Sequence, residues 1–363
     1  MLKIYECANI KSMHRQLKQR INTSLKRFVK QRVSHYKLSR TCAQLTGPLT
    51  EFILRDGKRI RPILFLLSYL GYCHKAPLRL NSRVLKTALS FELLHDFLLI
   101  HDDIIDNASL RRGRDSLHKV FEKNMRLNEK TGQDLGIVAG DIIFALALES
   151  FISSSHHLEN IQEAFSVFLT GMIWTGIGEF NDVCQGFTKL KKINLAEILL
   201  NYRLKTSEYT FKSPLLCGCL LADGRRTDLK KIASFGNYLG EAFQILDDLA
   251  GLFKNERSIG KSILSDLTEA KKTLPIYLAY KMSPPKIKKY LDNCLGSSKL
   301  KIRDLKNIRQ IIINCGAYRK TRQRINILVR KAKKKLFATE MNAKYKNLLL
   351  RYLADAMEIK SHV

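Results

Sequence analysis

The chain has 363 residues, enough to bury a large core, and a formal net charge of +30. Its 7 prolines and 19 glycines are scattered, and no linker, low-complexity segment or repeat of fixed period is visible. This excludes a repeat protein and favours one domain over two. No uninterrupted apolar run reaches the ~18 residues of a membrane span, and no signal-peptide hydrophobic region is present.

Helical spacing of apolar residues dominates the chain, whereas strand patterns are sparse. Segments such as AGDIIFALALESF and LLLRYLADAM contain few helix breakers. The pattern predicts an all-α fold, a single-domain bundle of antiparallel helices around a central cavity. The predicted helices cover 84–106, 136–152, 160–180, 194–222, 229–250 and 318–355.

Three aspartates end the first long apolar segment: Asp102, Asp103 and Asp106. The first and third are one helical turn apart and share a face. Carboxylates this close repel one another unless a cation lies between them, and hard oxygen ligands suit Mg²⁺. Arg111 and Arg112 follow, with forked donors that match phosphate geometry. This combination indicates a metal-bridged diphosphate, because a solvated acidic helix end would not be embedded in so apolar a segment.

A second pair of carboxylates, Asp247 and Asp248, lies far downstream in EAFQILDDLAG, which also has helical spacing. Two such clusters facing each other across a helical cavity would hold several Mg²⁺ ions around one diphosphate and stabilise its charge. Gly251 stands where the first cluster has its third aspartate. The second cluster is therefore the weaker signal.

Isolated cations stand in apolar surroundings elsewhere in the chain. They occur in GKRIRP at 57–62, in the Lys205-Thr206 pair and in GKSILSDLTEAKKT at 260–273. A single lysine of this kind is more often a surface charge. Their occurrence together, in order around the two aspartate clusters, favours a binding role.

The ordered set of motifs resembles that of the trans-isoprenyl diphosphate synthases, the polyprenyl synthetase family. The resemblance runs from about residue 20 to the C terminus and rests on GKRIRP, HDDIID, RRG, AGD, GEFNDV, KT, FQILDD and GK…SDLTEAKKT. It implies the isoprenoid synthase fold, with a basic N-terminal extension at 1–20 and a catalytic domain at 21–363. It also implies a short-chain enzyme, such as a geranylgeranyl or farnesyl diphosphate synthase.

The resemblance also implies a role for each matching residue. With Mg²⁺ as the cofactor, the metal ligands would be Asp102, Asp103, Asp106, Asp247 and Asp248. Cations binding the allylic diphosphate or lying near the second cluster would be Arg111, Lys205, Lys261 and Lys271. The site for isopentenyl diphosphate would comprise Lys58, Arg61, His95 and Arg112. The catalytic groups would be Lys205, together with Thr206 and Gln244, whose oxygens would face the carbocation.

The implied reaction is an ionisation followed by a condensation. The allylic C–O bond breaks to give a carbocation and diphosphate, whose charge needs metals and cations because water is excluded from the site. The double bond of isopentenyl diphosphate attacks the carbocation. Loss of a proton, with the released diphosphate as base, then completes a longer allylic diphosphate.

Two residues on the first aspartate helix suggest the product length. Phe97 lies five residues before Asp102, about 7.5 Å deeper along the helix, and Leu98 follows it. In the family, bulky aromatics at these two places close the floor of the product pocket. One aromatic beside an aliphatic residue favours geranylgeranyl over farnesyl diphosphate. The alternative is that Phe97 is an ordinary core residue.

The excess of basic charge has three interpretations. Solvated lysine-rich surfaces are the simplest, peripheral contact with an anionic membrane is the second, and nucleic acid is disfavoured because no recognised binding motif is present. Residues 7–50 carry ten lysines or arginines and no carboxylate, which resembles an organellar presequence, but the family's first helix occupies part of this range. The eight cysteines form no CxxC motif and are predicted to be free thiols in a reducing compartment. We expect a cytoplasmic homodimer.

Three other classes of protein remain open. A terpene cyclase also uses an aspartate-rich motif, but it would not need the isopentenyl site, so Lys58, Arg61 and Arg112 argue against it. A non-catalytic partner subunit should have lost aspartates from the first motif, which here retains all three. A basic RNA- or membrane-binding protein leaves the ordered motifs unexplained.

Overall fold

The computed structural model describes residues 2–73, 80–153, 158–254 and 263–357, with side chains from residue 13 onward except 158 and 159. Within these ranges the chain is almost entirely helical, which confirms the all-α prediction. The strands in the described part of the chain form one antiparallel two-residue ladder, in which Leu110–Arg111 (β1) pairs with Arg114–Asp115 (β2).

The helices follow one another along the chain with short connections. Those before the midpoint of the chain are α1 Leu2–His35, α2 Leu38–Thr41, α3 Ala43–Leu54, α4 Ile60–Tyr72, α5 Ser82–Ile105, α6 Leu117–Met125, α7 Glu129–Ile152 and α8 Leu158–Gly186. After a 3₁₀ turn at Leu190–Lys192 come α9 Leu195–Tyr202, the π-helical segment Arg203–Lys212, α10 Ser213–Leu221, α11 Arg226–Phe253, α12 Ser265–Thr268, α13 Leu274–Met282, α14 Pro285–Cys294, α15 Ile302–Asn314, α16 Ala317–Phe337 and α17 Ala343–Ala356.

The chain forms two compact units, each made of several segments. The first unit comprises Met1–Phe165, Cys217–Gly224 and Met341–Val363. The second comprises Ser166–Leu216 and Arg225–Glu340. The two aspartate motifs therefore lie in different units, the first on α5 and the second on α11.

Asparagine side chains begin three of the helices that carry site residues or support them. The Asn81 side chain accepts a hydrogen bond from Val84 N at 3.0 Å at the start of α5. Asn128 and Asn194 accept in the same way at the starts of α7 and α9. Each bond satisfies one of the backbone donors that a helix leaves unpaired in its first turn, which stabilises the helix start by about 1 kcal/mol.

In the first unit, α5 and α7 lie in close contact because α7 carries two glycines beneath α5. An added Cβ at Gly136 would come within 2.8 Å of Ile104 Cδ1, and one at Gly140 within 2.5 Å of His101 Nε2. This packing fixes the C-terminal end of α5, where the first aspartate motif lies. α7 also has the length and mean hydropathy, 2.0, of a membrane-spanning helix by composition alone. The search of the sequence for an uninterrupted apolar run did not detect this helix. Core helices of globular proteins often have the same length and hydropathy.

In the second unit, the π-helical segment packs against α11 at two glycines. An added Cβ at Gly236 would lie 2.8 Å from Lys212 Cα, and one at Gly240 would overlap Ser207. Single π-turns are frequent at functional sites. This segment carries Lys205 and Thr206, so the packing positions two of the predicted site residues.

Two predicted boundaries differ from the structure. The helix expected over 318–355 is interrupted, because α16 ends at Phe337 and α17 begins after the N-cap residue Asn342, whose backbone N–H also donates to Gly71 O at 2.9 Å. The helix expected over 194–222 contains the π-helical segment. α1 continues through residue 20 without a break, so the division into an extension at 1–20 and a domain at 21–363 stays a prediction.

Candidate active site

The first aspartate motif divides its carboxylates between the surface and the core. Asp102 and Asp106 are partly exposed at the end of α5, whereas Asp103 is fully buried. Arg111 donates to Asp103 Oδ1 from Nε at 2.7 Å and to Asp102 Oδ2 from Nη2 at 3.1 Å. Burial raises the pKa of Asp103 to about 6, although Arg111 acts in the opposite direction. Asp103 therefore anchors Arg111 beside the two partly exposed carboxylates.

The predicted isopentenyl residues Arg61 and Arg112 lie in the same unit, near two buried carboxylates of α5. Arg112 is 3.7 Å from Glu92 Oε1 and 3.6 Å from Asp96 Oδ1. Both carboxylates are fully buried, and Arg61 is also buried. An added Cβ at Gly57 would come within 3.2 Å of Arg112 Cζ. Glycine at this position therefore lets the guanidinium lie against the backbone of the GKRIRP segment.

Arg59, in the same segment, neutralises one of these carboxylates. Its Nη1 donates to Glu92 Oε1 at 2.6 Å, and its Nη2 donates to Arg55 O at 2.7 Å. Its backbone is left-handed, with φ of 52°. Sequence reasoning missed Glu92 and Asp96 as site residues. The available signal was their spacing, since two carboxylates four apart on one face of an apolar helix are unusual.

The last helix holds the other predicted cation of this group. Lys58 Nζ donates to Ala356 O at 3.0 Å, and Tyr352 OH donates to Lys58 O at 3.0 Å. α17 therefore fixes the GKRIRP segment from the far end of the chain. His95 completes the predicted set, and its pKa is lowered well below the ordinary value by burial and by the neighbouring arginines, Arg61 first. A neutral imidazole is thus expected at neutral pH.

The second aspartate motif shows the same division as the first. Asp247 is exposed, whereas Asp248 is 5% exposed. Asp248 accepts from Gln244 Nε2 at 3.0 Å and from the hydroxyl of Tyr202. That hydroxyl in turn accepts from Leu274 N at 2.6 Å. Burial raises the pKa of Asp248 to about 8, so Asp248 is an internal hydrogen-bonding group.

Two of the predicted catalytic residues, Thr206 and Gln244, belong to this network, and the third, Lys205, is held by α8. Thr206 Oγ1 donates to Gln244 Oε1 at 2.5 Å, which links the π-helical segment to α11 and, through Gln244, to Asp248. Lys205 Nζ lies 2.8 Å from Glu179 Oε2 and 2.8 Å from Asp182 Oδ2, both on α8. The structure thus explains the GEFNDV motif, for which sequence reasoning found no role. Its two carboxylates position Lys205.

A carboxylate from another helix lies where the second motif lacks its third aspartate. An added Cβ at Gly251 would come within 2.5 Å of Asp266 Oδ2, so a carboxylate from α12 occupies the room that a side chain at 251 would use. Lys271, a predicted diphosphate cation, pairs with Glu269 Oε2 at 2.6 Å. Lys261 lies outside the described residues.

The predicted product-length residues differ in environment. Phe97 is buried, with its ring centroid 4.5 Å from that of His101 and 5.0 Å from that of Phe144 on α7. Leu98 is partly exposed. Phe97 is therefore part of the contact between α5 and α7, and its effect on chain length stays a prediction.

The donor set fits Mg²⁺, although among the described residues no three potential ligands are gathered into a ready-made metal site. Asp102, Asp106 and Asp247 are carboxylates with exposed surface. Mg²⁺ characteristically takes one or two carboxylates together with waters and substrate phosphates. In such a site the diphosphate supplies the remaining ligands, so the protein carboxylates need not lie close together before it binds.

Comparison with known proteins identifies the family. The sequence profile of the polyprenyl synthetase family matches residues 42–312. The chain belongs to this family. It is 30% identical to the geranylgeranyl diphosphate synthase of Saccharolobus solfataricus over 80% of each chain. It is also 30% identical to the geranylfarnesyl diphosphate synthase of Aeropyrum pernix, over 90% of this chain and 99% of that enzyme.

The fold agrees with this assignment. A crystal structure of geranylgeranyl pyrophosphate synthase from Corynebacterium glutamicum, complexed with isoprenyl diphosphate and magnesium, superposes with a TM-score of 0.87. The match covers 94% of this chain and 98% of that one, at 24% identity. The predicted isoprenoid synthase fold and the predicted enzyme class, a trans-prenyltransferase, are confirmed.

Proposed function

We propose that this polyprenyl synthetase is a Mg²⁺-dependent enzyme that condenses isopentenyl diphosphate with an allylic diphosphate. The product would be a short-chain all-trans prenyl diphosphate, geranylgeranyl in preference to farnesyl. The observation that carries the proposal is the end of α5, where Asp102 and Asp106 keep exposed surface while Asp103 fixes Arg111 beside them. Paired carboxylates with an adjacent anchored guanidinium suit a metal-bound diphosphate.

The cofactor would be held within each unit by carboxylates that keep exposed surface. In the first unit these are Asp102 and Asp106, and in the second Asp247, with Asp266 beside Gly251. When bound, Mg²⁺ would supply the positive charge that stabilises the departing diphosphate.

Isopentenyl diphosphate would be bound by Lys58, Arg61, His95 and Arg112. The contacts of Arg112 with Glu92 and Asp96 are 3.7 and 3.6 Å, longer than hydrogen bonds, so these carboxylates orient the guanidinium without saturating its donors. The neutral His95 would donate a hydrogen bond to a phosphate oxygen without adding charge. The second substrate is the feature that distinguishes this proposal from a terpene cyclase.

The allylic carbocation would be met by oxygen atoms that are poor nucleophiles. Thr206 and Gln244 are hydrogen-bonded to each other, and Gln244 is held by Asp248. Such groups stabilise positive charge by their dipoles and do not attack it. Lys205, held by Glu179 and Asp182, would bind the allylic diphosphate as it leaves. The proton lost at the end would go to the released diphosphate.

We also propose that the enzyme acts as a cytoplasmic homodimer. α8 exposes a row of apolar side chains at helical spacing: Ile173, Ile177, Phe180 and Val183. An apolar row of this kind is typical of a surface that is covered by a partner. Among the described cysteines none forms a disulfide, in keeping with a reducing compartment. Light scattering at micromolar concentration would report the mass of the assembly.

One incubation tests the reaction. Purified protein is mixed with Mg²⁺, labelled isopentenyl diphosphate and dimethylallyl, geranyl or farnesyl diphosphate, and the products are hydrolysed and separated by chain length. We expect labelled geranylgeranyl diphosphate from all three primers. A hydrocarbon formed without isopentenyl diphosphate would instead indicate a cyclase. Turnover only after addition of a second protein would indicate a partner subunit.

A further inference from the structure

The basic charge of the chain is unevenly distributed, and one helix carries a large share of it. α16 contains nine lysines or arginines and no aspartate or glutamate. Eight of the nine are exposed: Arg319, Lys320, Arg322, Arg330, Lys331, Lys333, Lys334 and Lys335. A solvated surface with mixed charge would alternate the two signs, so this concentration needs its own explanation.

The exposed side of α16 has two large apolar residues among its cations, Ile327 and, at the C-terminal end of the helix, Phe337. The buried residues Thr321, Ile325, Leu328, Ala332 and Leu336 form one stripe at helical spacing. On the opposite face Ile327 is 46% exposed. At 100° per residue, the cations that share this face with Ile327 are Lys320, Arg330, Lys331 and Lys334. We call these four cations with Ile327 the basic face.

The basic face is not neutralised within the described part of the chain. Arg324 is the cation of α16 that pairs with a carboxylate there, through Nη2 to Glu241 Oε1 at 2.6 Å. Arg324 is the ninth cation of the helix and lies only partly exposed, towards the core. Lys331 Nζ lies 5.7 Å from the centroid of the Tyr238 ring, and this cation–π contact does not neutralise the charge of the lysine. The basic face therefore presents uncompensated positive charge over about 20 Å of helix.

We propose that the basic face of α16 docks on the surface of a membrane that contains anionic lipids. Lysine and arginine attract such a surface, and each contributes roughly fivefold to binding. Ile327, surrounded by cations, would enter the boundary between headgroups and acyl chains, as apolar residues of interfacial helices do. The proposed product gives the docking a purpose, because a prenyl diphosphate combines a long apolar chain with an anionic head and partitions into lipid.

Ile327 favours a membrane over nucleic acid as the occupant. Backbone phosphates of nucleic acid are met by cations and polar groups, and single-stranded bases are met by aromatic rings. The basic face has an aliphatic side chain at its centre, and Phe337, which is 56% exposed, lies beside it at the C-terminal end of α16. One ring does not provide the series of aromatic side chains on which successive bases stack. An aliphatic centre gains free energy only where it leaves water, as at an acyl boundary.

The test is sedimentation of the full chain with lipid vesicles. Vesicles of phosphatidylcholine alone are compared with vesicles that contain one third phosphatidylserine, at about 0.1 M salt. We expect binding to the anionic vesicles only. At about 0.5 M salt this binding should be largely lost, because the Debye length is then well below the value of about 10 Å at ~0.1 M. Binding is measured without substrates, so this result and that of the activity assay are independent.

Two pairs of charge reversals locate the surface. Lys320→Glu with Lys334→Glu changes the basic face, and Lys26→Glu with Lys30→Glu makes the same charge change at exposed positions on α1. We expect the first pair to weaken vesicle binding at least tenfold and the second by less than about threefold, with turnover of soluble short primers retained in both. Ile327→Ser should also weaken binding, whereas Ile302→Ser, at a side chain that is 60% exposed on α15, should not.

Several outcomes would overturn the proposal. Equal binding to neutral and anionic vesicles would show that the charge has no role. Equal loss from both lysine pairs would show that net charge matters and the basic face does not. Displacement of the protein from anionic vesicles by a small amount of RNA, with tighter binding to RNA alone, would assign the basic face to nucleic acid.

Discussion

In both motifs the second aspartate of the adjacent pair points into the protein. Asp103 is buried against Arg111, and Asp248 is buried against Tyr202 and Gln244. Asp102 and Asp247 keep exposed surface. A helix places neighbouring residues about 100° apart, so one aspartate can face solvent while the next faces the core. The inner aspartate thus fixes the orientation of the helix face that carries the outer one.

The Tyr202 hydroxyl provides a test of this arrangement. Tyr202→Phe removes the hydroxyl that connects Asp248 with Leu274 N and leaves the ring in place. We expect the Mg²⁺ concentration for half-maximal rate to rise several-fold, because α11 would hold Asp247 less firmly, while the Michaelis constant for isopentenyl diphosphate stays unchanged. Tyr280→Phe, which removes a hydroxyl bonded to Asp292 at 3.2 Å, is the matched control. Equal changes in both variants would contradict a positioning role.

Asp96 makes stability depend on pH. Burial, followed by the charge of Glu92, raises its pKa to about 8 in the folded protein. The unfolded chain releases this proton near pH ~4, so the free energy of unfolding falls as pH rises from about 4 to about 8 and changes no further above that. Asp96→Asn removes this dependence. We expect the melting temperature of Asp96→Asn, relative to that of the native protein, to be several degrees higher at about pH 8 than at about pH 5. An equal difference in melting temperature at the two pH values would contradict this role of Asp96.

Phe97 tests the assignment of product length. Its ring fills space between α5 and α7, next to His101 and Phe144. If Phe97 closes the product pocket, Phe97→Ala opens room for a longer tail and shifts products beyond geranylgeranyl diphosphate. Phe91→Ala, a buried aromatic on the same helix that touches Phe65 and Phe151, controls for loss of packing alone. An unchanged product spectrum in Phe97→Ala would place the floor elsewhere.

At the level of single residues, the sequence predicted what local spacing determines. The pairs Asp102 with Asp106 and Asp247 with Asp248 are properties of one helix each, and so are readable without a structure. The partners that give these residues their roles come from distant segments. Tyr202 reaches Asp248 from 46 residues away, and Asp266 reaches Gly251 from another helix. The periodicity of the sequence does not predict contacts between such distant segments, because these contacts depend on how the helices pack.

Among the elements, long helices with caps were predictable and interruptions were not. The gap after α16 contains no glycine or proline, and Asn342 is its main local signal. The π-helical segment Arg203–Lys212 likewise has no breaker, because its geometry comes from packing against Gly236 and Gly240 of α11. Helix boundaries set by tertiary contact are therefore the part of the fold that sequence patterns leave open.

The contact of α11 with the π-helical segment gives a prediction at this scale. Gly240→Ala would place a Cβ in steric overlap with Ser207 Cα. To relieve this overlap, the π-helical segment would have to shift away from α11, and Lys205 and Thr206 would move with it. We expect a lower melting temperature and a lower turnover rate. Gly186→Ala, at the end of α8 with the added Cβ in ordinary contact with Glu269 O at 3.4 Å, should be nearly neutral. Similar melting temperatures for the two variants would show that the close approach is not needed.

At the scale of the whole molecule, the family and the fold account for the chain from α3 onward. The profile match begins at residue 42, and the structural match covers 94% of the chain. The all-α architecture was predictable because so many helices are long and regular. The division into two compact units was not, since each unit is assembled from segments far apart in sequence. Most of the 63 lysines and arginines have no role in the proposed reaction, and the proposed docking of α16 on anionic lipid gives some of them one.

The most direct test of the central claim is the turnover rate of Asp102→Ala with Mg²⁺, isopentenyl diphosphate and a geranyl primer. Asp102 is a partly exposed carboxylate of the first motif, and removal of a major electrostatic group of this kind costs on the order of 100-fold or more. Asp134→Ala, an exposed carboxylate on α7 paired with Lys130, is the control. The account predicts at least a ~100-fold loss of turnover in Asp102→Ala and near-native turnover in Asp134→Ala. Near-native turnover in Asp102→Ala would contradict it.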